Sequence, residues 1–268
     1  MKVALLQTAV TKDRKGNLQT ALAAVRSAAE GGAELAVLPE MFCCPYRSRF
    51  FRPYAEPHGG ELQKALAAAA KECGLYLIAG TIPELEGEKL YNTAFVYDPA
   101  GREIARHRKA HLFDINMPGQ QVFRESDTLT AGDAVTVFDT PFGPMGLCVC
   151  FDIRFPEMSR IMALRGARVI FVPAAFTAVT GEAHWELLLR TRAVDNQCFT
   201  VGVGPARDAR LGYETYGNSI AVDPWGTVLT RCGTESDIRL IDLDISRVDE
   251  IRQQLPLYPS RREELYHL

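Results

Sequence analysis

Glu34-Leu35-Ala36-Val37-Leu38-Pro39-Glu40 reads as a short apolar strand stopped by a proline, with a carboxylate just past its C-terminal edge. What precedes it decides the fold. Residues 2–8, Lys2-Val3-Ala4-Leu5-Leu6-Gln7-Thr8, read as another buried strand. Between the two, Leu18, Ala21, Leu22 and Val25 recur at helical spacing after Asn17, a candidate cap, and Gly31-Gly32 closes that helix. A β-α-β beginning argues for strands covered by helices, an α/β protein.

The same alternation runs on along the chain. After an aromatic loop (Phe42, Tyr46, Phe50, Phe51, Tyr54) broken by Pro45, Pro53 and Pro57, an alanine-rich helix is expected over 61–73 and a strand over 75–80. Leu90 to Tyr97 and Arg102 to Arg108 read as a hairpin around Asp98-Pro99-Ala100-Gly101, leaving Lys109 where the second strand runs out. Residues 110–133 are polar and irregular around Pro118-Gly119, and a loop of that length is usually functional. A second hairpin-like pair, 135–139 and 145–150, ends at Cys150, and Pro156 opens a helix to Arg165. A strand over 168–173, a loop to Gly181, a helix over 182–196 and strands over 198–203, 219–223, 226–231 and 238–244 follow, before a short helix and a proline-containing basic tail. With no linker or short repeat, one domain over 1–268 is the economical count.

Bulk properties narrow the function classes. Of the 268 residues, 47% are hydrophobic and 24% charged, which suits an ordinary protein with a sizeable core. A formal charge of −3 gives no footprint for nucleic acid or an anionic membrane. No apolar run approaches the ~20 residues that span a bilayer, and the N-terminus turns polar too soon for a signal peptide, so a cytoplasmic protein is expected. Seven cysteines, with Cys43-Cys44 adjacent and Cys148-x-Cys150 close, show neither C-x-x-C pairs nor zinc spacing; free thiols are expected. The chain has no G-x-S-x-G, no P-loop and no G-x-G-x-x-G after a strand. None of its histidines (His58, His107, His111, His184, His267) forms a metal pair of the H-E-x-x-H kind, and no metal or organic cofactor is expected.

Glu40, Lys109 and Cys150 each follow a predicted strand, and Glu125 lies in the long polar loop. Open sheets place ligands beyond the carboxyl ends of their strands, where such side chains can converge. Together they fit acyl transfer: a thiol attacks the acyl carbon, a carboxylate moves the proton, and an ammonium steadies the oxyanion and favours the thiolate. Singly each is weak. A cysteine ending an apolar strand is ordinarily core, a glutamate after proline solvates a turn, and Arg106-His107-Arg108-Lys109 reads equally as a solvated charge run.

Leu35-Ala36-Val37-Leu38-Pro39-Glu40-Met41-Phe42, Arg108-Lys109-Ala110-His111-Leu112-Phe113 and Gly146-Leu147-Cys148-Val149-Cys150-Phe151-Asp152-Ile153-Arg154-Phe155-Pro156-Glu157 resemble, in order and spacing, the three signature segments of the nitrilase superfamily of carbon–nitrogen hydrolases. The resemblance runs from Val3 to Tyr266. It implies a four-layer α-β-β-α sandwich, commonly paired through helices into a homodimer or a higher homo-oligomer, with the tail from about residue 245 contributing to the contact. It also implies Glu40 as general base, Lys109 as the oxyanion-stabilising cation, Cys150 as nucleophile and the Phe151 N–H as a second oxyanion donor. Phe123-Arg124-Glu125-Ser126 is similar to the segment carrying the family's second glutamate, which makes Glu125 the residue that positions substrate and Lys109.

Within the superfamily, Ala183-His184-Trp185-Glu186-Leu187-Leu188, Arg192-Ala193-Val194-Asp195-Asn196-Gln197 and Glu250-Ile251-Arg252-Gln253-Gln254-Leu255-Pro256 resemble the omega-amidase branch. That branch hydrolyses the terminal amide of small dicarboxylic monoamides such as 2-oxoglutaramate. Cys43-Cys44, Arg47 and Gly212-Tyr213-Glu214-Thr215-Tyr216 depart from it, and Asp223-Pro224-Trp225-Gly226-Thr227-Val228 is shared with the branch acting on deaminated glutathione, the runner-up. A substrate with a distal carboxylate needs a cation in the pocket. Arg154 is the candidate, its other reading being an ion pair with Asp152 or Glu157; Tyr46, Phe113, Phe176 and Thr177 are expected to complete the wall. An inactive binding scaffold is the non-enzymatic alternative, and a redox role for Cys148 and Cys150 a further one.

Overall fold

The computed structural model describes residues 1–117 and 121–266; Pro118 and Gly119, within the polar loop, and His267 lie outside the described residues. The first half supplies strands β1 (Lys2–Gln7), β2 (Leu35–Val37), β3 (Glu56–Pro57), β4 (Tyr76–Glu86), β5 (Lys89–Tyr97) and β6 (Glu103–Arg108), with helices α1 (Arg14–Glu30), α2 (Ser48–Tyr54) and α3 (Glu61–Cys73). A ribbon of β7 (Asp114–Met117) and β8 (Gln121–Arg124) follows. The second half carries β9 (Thr136–Thr140), β10 (Gly143–Leu147), α4 (Pro156–Leu164), β11 (Val169–Pro173), α5 (Ala178–Asn196), β12 (Phe199–Val203), β13 (Ile220–Val222), β14 (Val228–Arg231), β15 (Asp237–Asp242) and α6 (Ser246–Gln254).

These strands make two main sheets. One has the order β15-β1-β2-β4-β5-β6, with β3 also on β4; the other has the order β14-β13-β12-β11-β10-β9. Within each, the helix-connected strands run parallel: β1, β2 and β4 in the first, β10, β11 and β12 in the second. The last strand returns to pair antiparallel with the first, Val3 opposite Ile241.

The two-residue period of the strands assigns the layers. Ala4, Leu6, Ala36, Leu38, Leu77 and Ala79 cluster with Ala21, Leu22, Val25 and Ala28 of α1 and Leu62, Leu66, Ala69 and Ala70 of α3. Val3, Leu5, Leu35, Val37 and Ile78, alternating with them, cluster instead with the second sheet, on which Met158 and Met162 of α4 and Trp185, Leu189 and Ala193 of α5 also pack. The result is the expected α-β-β-α sandwich. All five residues of β11 are buried, as a strand covered on both faces requires. Each Leu or Val so covered contributes about 1.5–3 kcal/mol of transfer free energy.

The local expectations differ in several places, among them the aromatic loop, which holds helix α2 with Pro53 inside it. Asp13, not Asn17, caps α1, accepting from the Lys15 N–H; Asn17 sits inside the helix and ties Thr11 to the Cys43 carbonyl. The polar loop contains the β7–β8 ribbon and a short 3₁₀ turn at Glu125–Asp127. Helix α5 begins at Ala178, because Thr177 accepts from the Thr180 N–H and starts it early. All seven cysteines are free thiols. No helix among the described residues is long and apolar enough to cross a membrane.

Candidate active site

Glu40 is delivered by the end of β2. A Cβ on Gly80 of β4 would lie 2.1 Å from the Pro39 carbonyl, so glycine alone lets the two backbones approach there, at a bulge between Ala79 and Ile82. Thr81 then accepts the Met41 N–H at 2.8 Å, and Met41 takes φ of +53°. The turn is thus pinned on both sides of Glu40, whose side chain is buried.

Cys150 is presented by the second sheet. Strand β10 stops at Leu147, Cys148 still donates to the Phe171 carbonyl, and Cys150 opens a 3₁₀ turn to Arg154. Its φ is +48°, unusual for a residue with a Cβ, and such strained backbone persists only where the surroundings enforce it. Asp152 does the enforcing. Its Oδ2 accepts the Val149 N–H and His107 Nε2, both at 3.0 Å, while its Oδ1 accepts the His111 N–H and Nδ1, both at 2.8 Å. Burial alone would raise the Asp152 pKa, yet these hydrogen bonds from His107 and His111 hold it below the usual carboxylate range. One carboxylate therefore ties the Cys150 turn to the segment carrying Lys109. The first N–H groups of a helical turn have no acceptor within it, which frees the Phe151 N–H to face the site.

Lys109 follows β6, its N–H bonded to the Asn92 carbonyl. Its ammonium lies 3.0 Å from Glu40 Oε1, from the Tyr46 hydroxyl and from Glu125 Oε1, and 2.9 Å from Glu125 Oε2. Glu125, at the start of its 3₁₀ turn, also accepts the Tyr46 hydroxyl and, at 2.6 Å, the Phe113 N–H. Asn92 Nδ2 adds a bond to Glu40 Oε1 at 2.7 Å. Oε1 of Glu40 thus accepts from two donors, Lys109 and Asn92. Oε2 carries no formed hydrogen bond among the described residues, and the Cys150 thiol is the polar neighbour poised to supply one.

Electrostatics follow from burial and charge count. Burial and the nearby Glu125 raise the Glu40 pKa against the pull of Lys109. Burial works against the Lys109 charge, but Glu125 and Glu40 outweigh it and the ammonium is held above its ordinary value. Burial and then Glu40 push the Cys150 thiol well above its usual range, more than Lys109 pulls it down. Lys109 does favour the thiolate, as expected, but burial and Glu40 outweigh it, so the net push is toward the protonated thiol, beside a carboxylate able to take the proton.

The cavity at Cys150 is lined by Phe113, Phe151, Arg154, Phe176, Thr180 and Tyr213. Arg154 stands over the Phe151 and Phe176 rings and meets His184 at 3.2 Å, and its buried Nε has no partner among the described residues. The alternative Arg154–Asp152 ion pair does not form, since the histidines and Val149 occupy Asp152. Thr177 does not line this cavity; its hydroxyl caps α5 and bonds Thr180, which takes the wall position instead. Tyr46 lies inside the charged cluster. Sequence reasoning missed Asn92, Tyr213, Thr180 and Asp152. Asn92-Thr93 interrupting the apolar run of β5 was the available sign for Asn92. The Ala175 backbone, which favours the charged form of the Cys150 sulfur, had no side-chain signal at all.

Residues 2–253 match the carbon–nitrogen hydrolase family model. Omega-amidase NIT2 of Mus musculus is 47% identical over 265 residues, 99% of this chain and 96% of that protein. The crystal structure of Saccharomyces cerevisiae Nit3, a member of branch 10 of the nitrilase superfamily, superposes with a TM-score of 0.90 at 38% identity, covering 98% of this chain and 96% of that one. A mutant amidase from Nesterenkonia sp. AN1, solved with acrylamide added at its active site cysteine, is 27% identical with a TM-score of 0.77, covering 96% and 98% of the two chains. Two sheets that bring a buried carboxylate, an ammonium and a thiol together, with full-length likeness to these enzymes, give one conclusion: the chain belongs to the carbon–nitrogen hydrolase family.

Proposed function

We propose that this protein is an omega-amidase-like enzyme that hydrolyses the terminal amide of a small dicarboxylic acid monoamide, such as 2-oxoglutaramate, to the dicarboxylate and ammonia. The observation that carries the reading is the Glu40–Lys109–Cys150 cluster, in which the only unbonded carboxylate oxygen adjoins a protonated thiol. Likeness to NIT2 over essentially the whole chain supports the substrate class. Arg154, a half-buried guanidinium in the cavity wall with no anionic partner among the described residues, supports a distal carboxylate on the substrate.

The steps follow from the charges. Glu40 takes the thiol proton as the sulfur attacks the amide carbon, and the carbonyl electron pair moves onto oxygen. Lys109 and the Phe151 N–H hold that oxyanion; preorganised donors of this kind are worth about 10²–10³ in rate each. Collapse breaks the C–N bond, and the proton on Glu40 passes to the leaving nitrogen, which departs as ammonia. Glu40 next deprotonates a water that attacks the thioester; the C–S bond breaks and the proton returns to sulfur. A base whose pKa burial has raised is suited to both directions of transfer. Glu125, bonded to Lys109 and to the Phe113 N–H, holds the ammonium in place.

The catalytic unit is taken as a single domain over 1–268, working in the cytoplasm as a homodimer. Exposed apolar side chains on α4 (Ile161, Leu164) and α5 (Val179, Leu187, Val194) support pairing through these helices, with the tail from about residue 245 adjoining. Ammonia release from 2-oxoglutaramate, succinamate, deaminated glutathione, a carbamoyl amino acid and an aliphatic nitrile tests the substrate. The dicarboxylic monoamides should lead. Preference for deaminated glutathione would move the protein to the neighbouring branch, and silence on every compound would leave a binding scaffold.

A further inference from the structure

The two reacting side chains line different cavities. Cys150 opens into the one that holds Arg154, Phe113 and Phe176. Glu40 instead lines a second cavity, with Val10, Cys44, Tyr46, Ala206, Leu211 and Thr215 among its walls. Tyr213 is common to both, its ring 4.7 Å from that of Tyr46 and its hydroxyl bonded to the Ala175 carbonyl at 2.9 Å. It stands as the partition between them.

We propose that this second cavity is the amine side of the site, through which ammonia leaves and the thioester-resolving water arrives, while the acyl chain occupies the Cys150 side. The inference rests on the thioester mechanism above and adds a route to it. Once the acyl group is bonded to sulfur it fills the cavity bounded by Phe113, Arg154 and Phe176, so a small molecule needs another approach to Glu40. The proton given to ammonia and the proton taken from water both pass through the same carboxylate, which places the leaving nitrogen and the incoming oxygen on its side. The second cavity has a volume of about 20 Å³, and a water needs roughly 10–15 Å³ and a few polar partners. Glu40 and Tyr46 supply polar side chains to its wall, and Glu40 Oε2 is buried and unbonded among the described residues. Ala206 and Leu211 face the cavity from the loop after β12 and do not line the Cys150 cavity, so bulk added there narrows this cavity and not the other.

Two narrowing variants test this, Ala206→Leu in the wall and Leu211→Trp on the partly exposed 3₁₀ turn at Ala209–Leu211. Acid-quenched ammonia in the first turnover reads acylation, and intact mass at steady state reads thioester occupancy. The expected result is first-turnover ammonia within about twofold of the parent, steady turnover down about tenfold or more, and thioester accumulating, the pattern of a slowed deacylation. Slow first-turnover ammonia with raised KM in both variants would make this cavity the acyl pocket and overturn the proposal. Unchanged acylation and deacylation in both would overturn it as well, because water would then enter past the acyl chain. If the parent protein forms no thioester with any amide, the mechanism itself fails, an outcome distinct from either.

Discussion

Glu40→Gln separates the two roles proposed for Glu40: it accepts a proton, and its charge adds to burial in holding the neighbouring thiol protonated. The amide can sit only one way. Asn92 and Lys109 both donate to the Oε1 position, so the glutamine oxygen takes that place and its NH₂ turns toward Cys150. With both carboxylates ionised the cluster of Glu40, Glu125 and Lys109 carries one net negative charge; the substitution brings it to zero and leaves Lys109 bonded to Glu125. The fold should therefore survive with little loss. Two unit charges about 4 Å apart interact by about 4 kcal/mol at an effective dielectric of about 20. Removing the Glu40 charge should therefore lower the Cys150 pKa, while amidase turnover drops about 10²–10⁴-fold for loss of the base. The assay is the pH dependence of haloacetamide alkylation at Cys150, followed by peptide mass so that the other thiols do not interfere, beside ammonia release on the same samples. A thiol that becomes more reactive while turnover collapses is the signature. An unchanged or higher alkylation midpoint would refute the electrostatic account, and retained turnover would remove Glu40 as the base.

Three further outcomes follow from the same geometry. Lys109→Met leaves Glu40 and Glu125 buried without a cation, so urea unfolding should show a loss of about 3–5 kcal/mol near neutral pH that shrinks in acid as a carboxylate takes up a proton. Asp152 has a folded pKa below its unfolded value of 3.8, so its stabilisation is fully present above that value and is lost as pH falls through the depressed one. Acid titration of unfolding free energy for the parent and Asp152→Asn should accordingly show two curves that converge in that window; a constant gap would contradict the assignment. Arg154→Gln should lower kcat/KM for a dicarboxylic monoamide by about 10–150-fold, the worth of about 1.5–3 kcal/mol for a hydrogen bond to a charged group, and leave a neutral aliphatic amide nearly untouched.

The strand and helix periods made the layers readable because Val3 and Leu5 alternate with Ala4 and Leu6 and each set has its own cluster. Glu40, Lys109 and Cys150 each stand where a strand runs out, but position left them weak singly, and it was the resemblance of three segments to a known family that joined them; the two sheets meet so that those ends converge. Tyr213 and Thr180 were not legible, because their positions depend on how a loop folds across the strand ends, which no period encodes. Asn17 misled, since a capping residue type is also suited to bonding a remote carbonyl. Asp152 was taken only as a possible partner for Arg154, and its clamp on His107 and His111 joins segments 41 residues or more apart in sequence, as its bond to His111 spans. The resting state of the thiol depends on burial and on two carboxylates at once, a balance that spacing alone does not give.

The most direct test of the central claim is intact mass of the protein quenched in acid during turnover of 2-oxoglutaramate. A covalent adduct of the acyl group, located on Cys150 by peptide mass and absent together with ammonia release in Cys150→Ala, is the predicted result. Ammonia release that persists in Cys150→Ala, or an adduct on any other residue, would contradict the account.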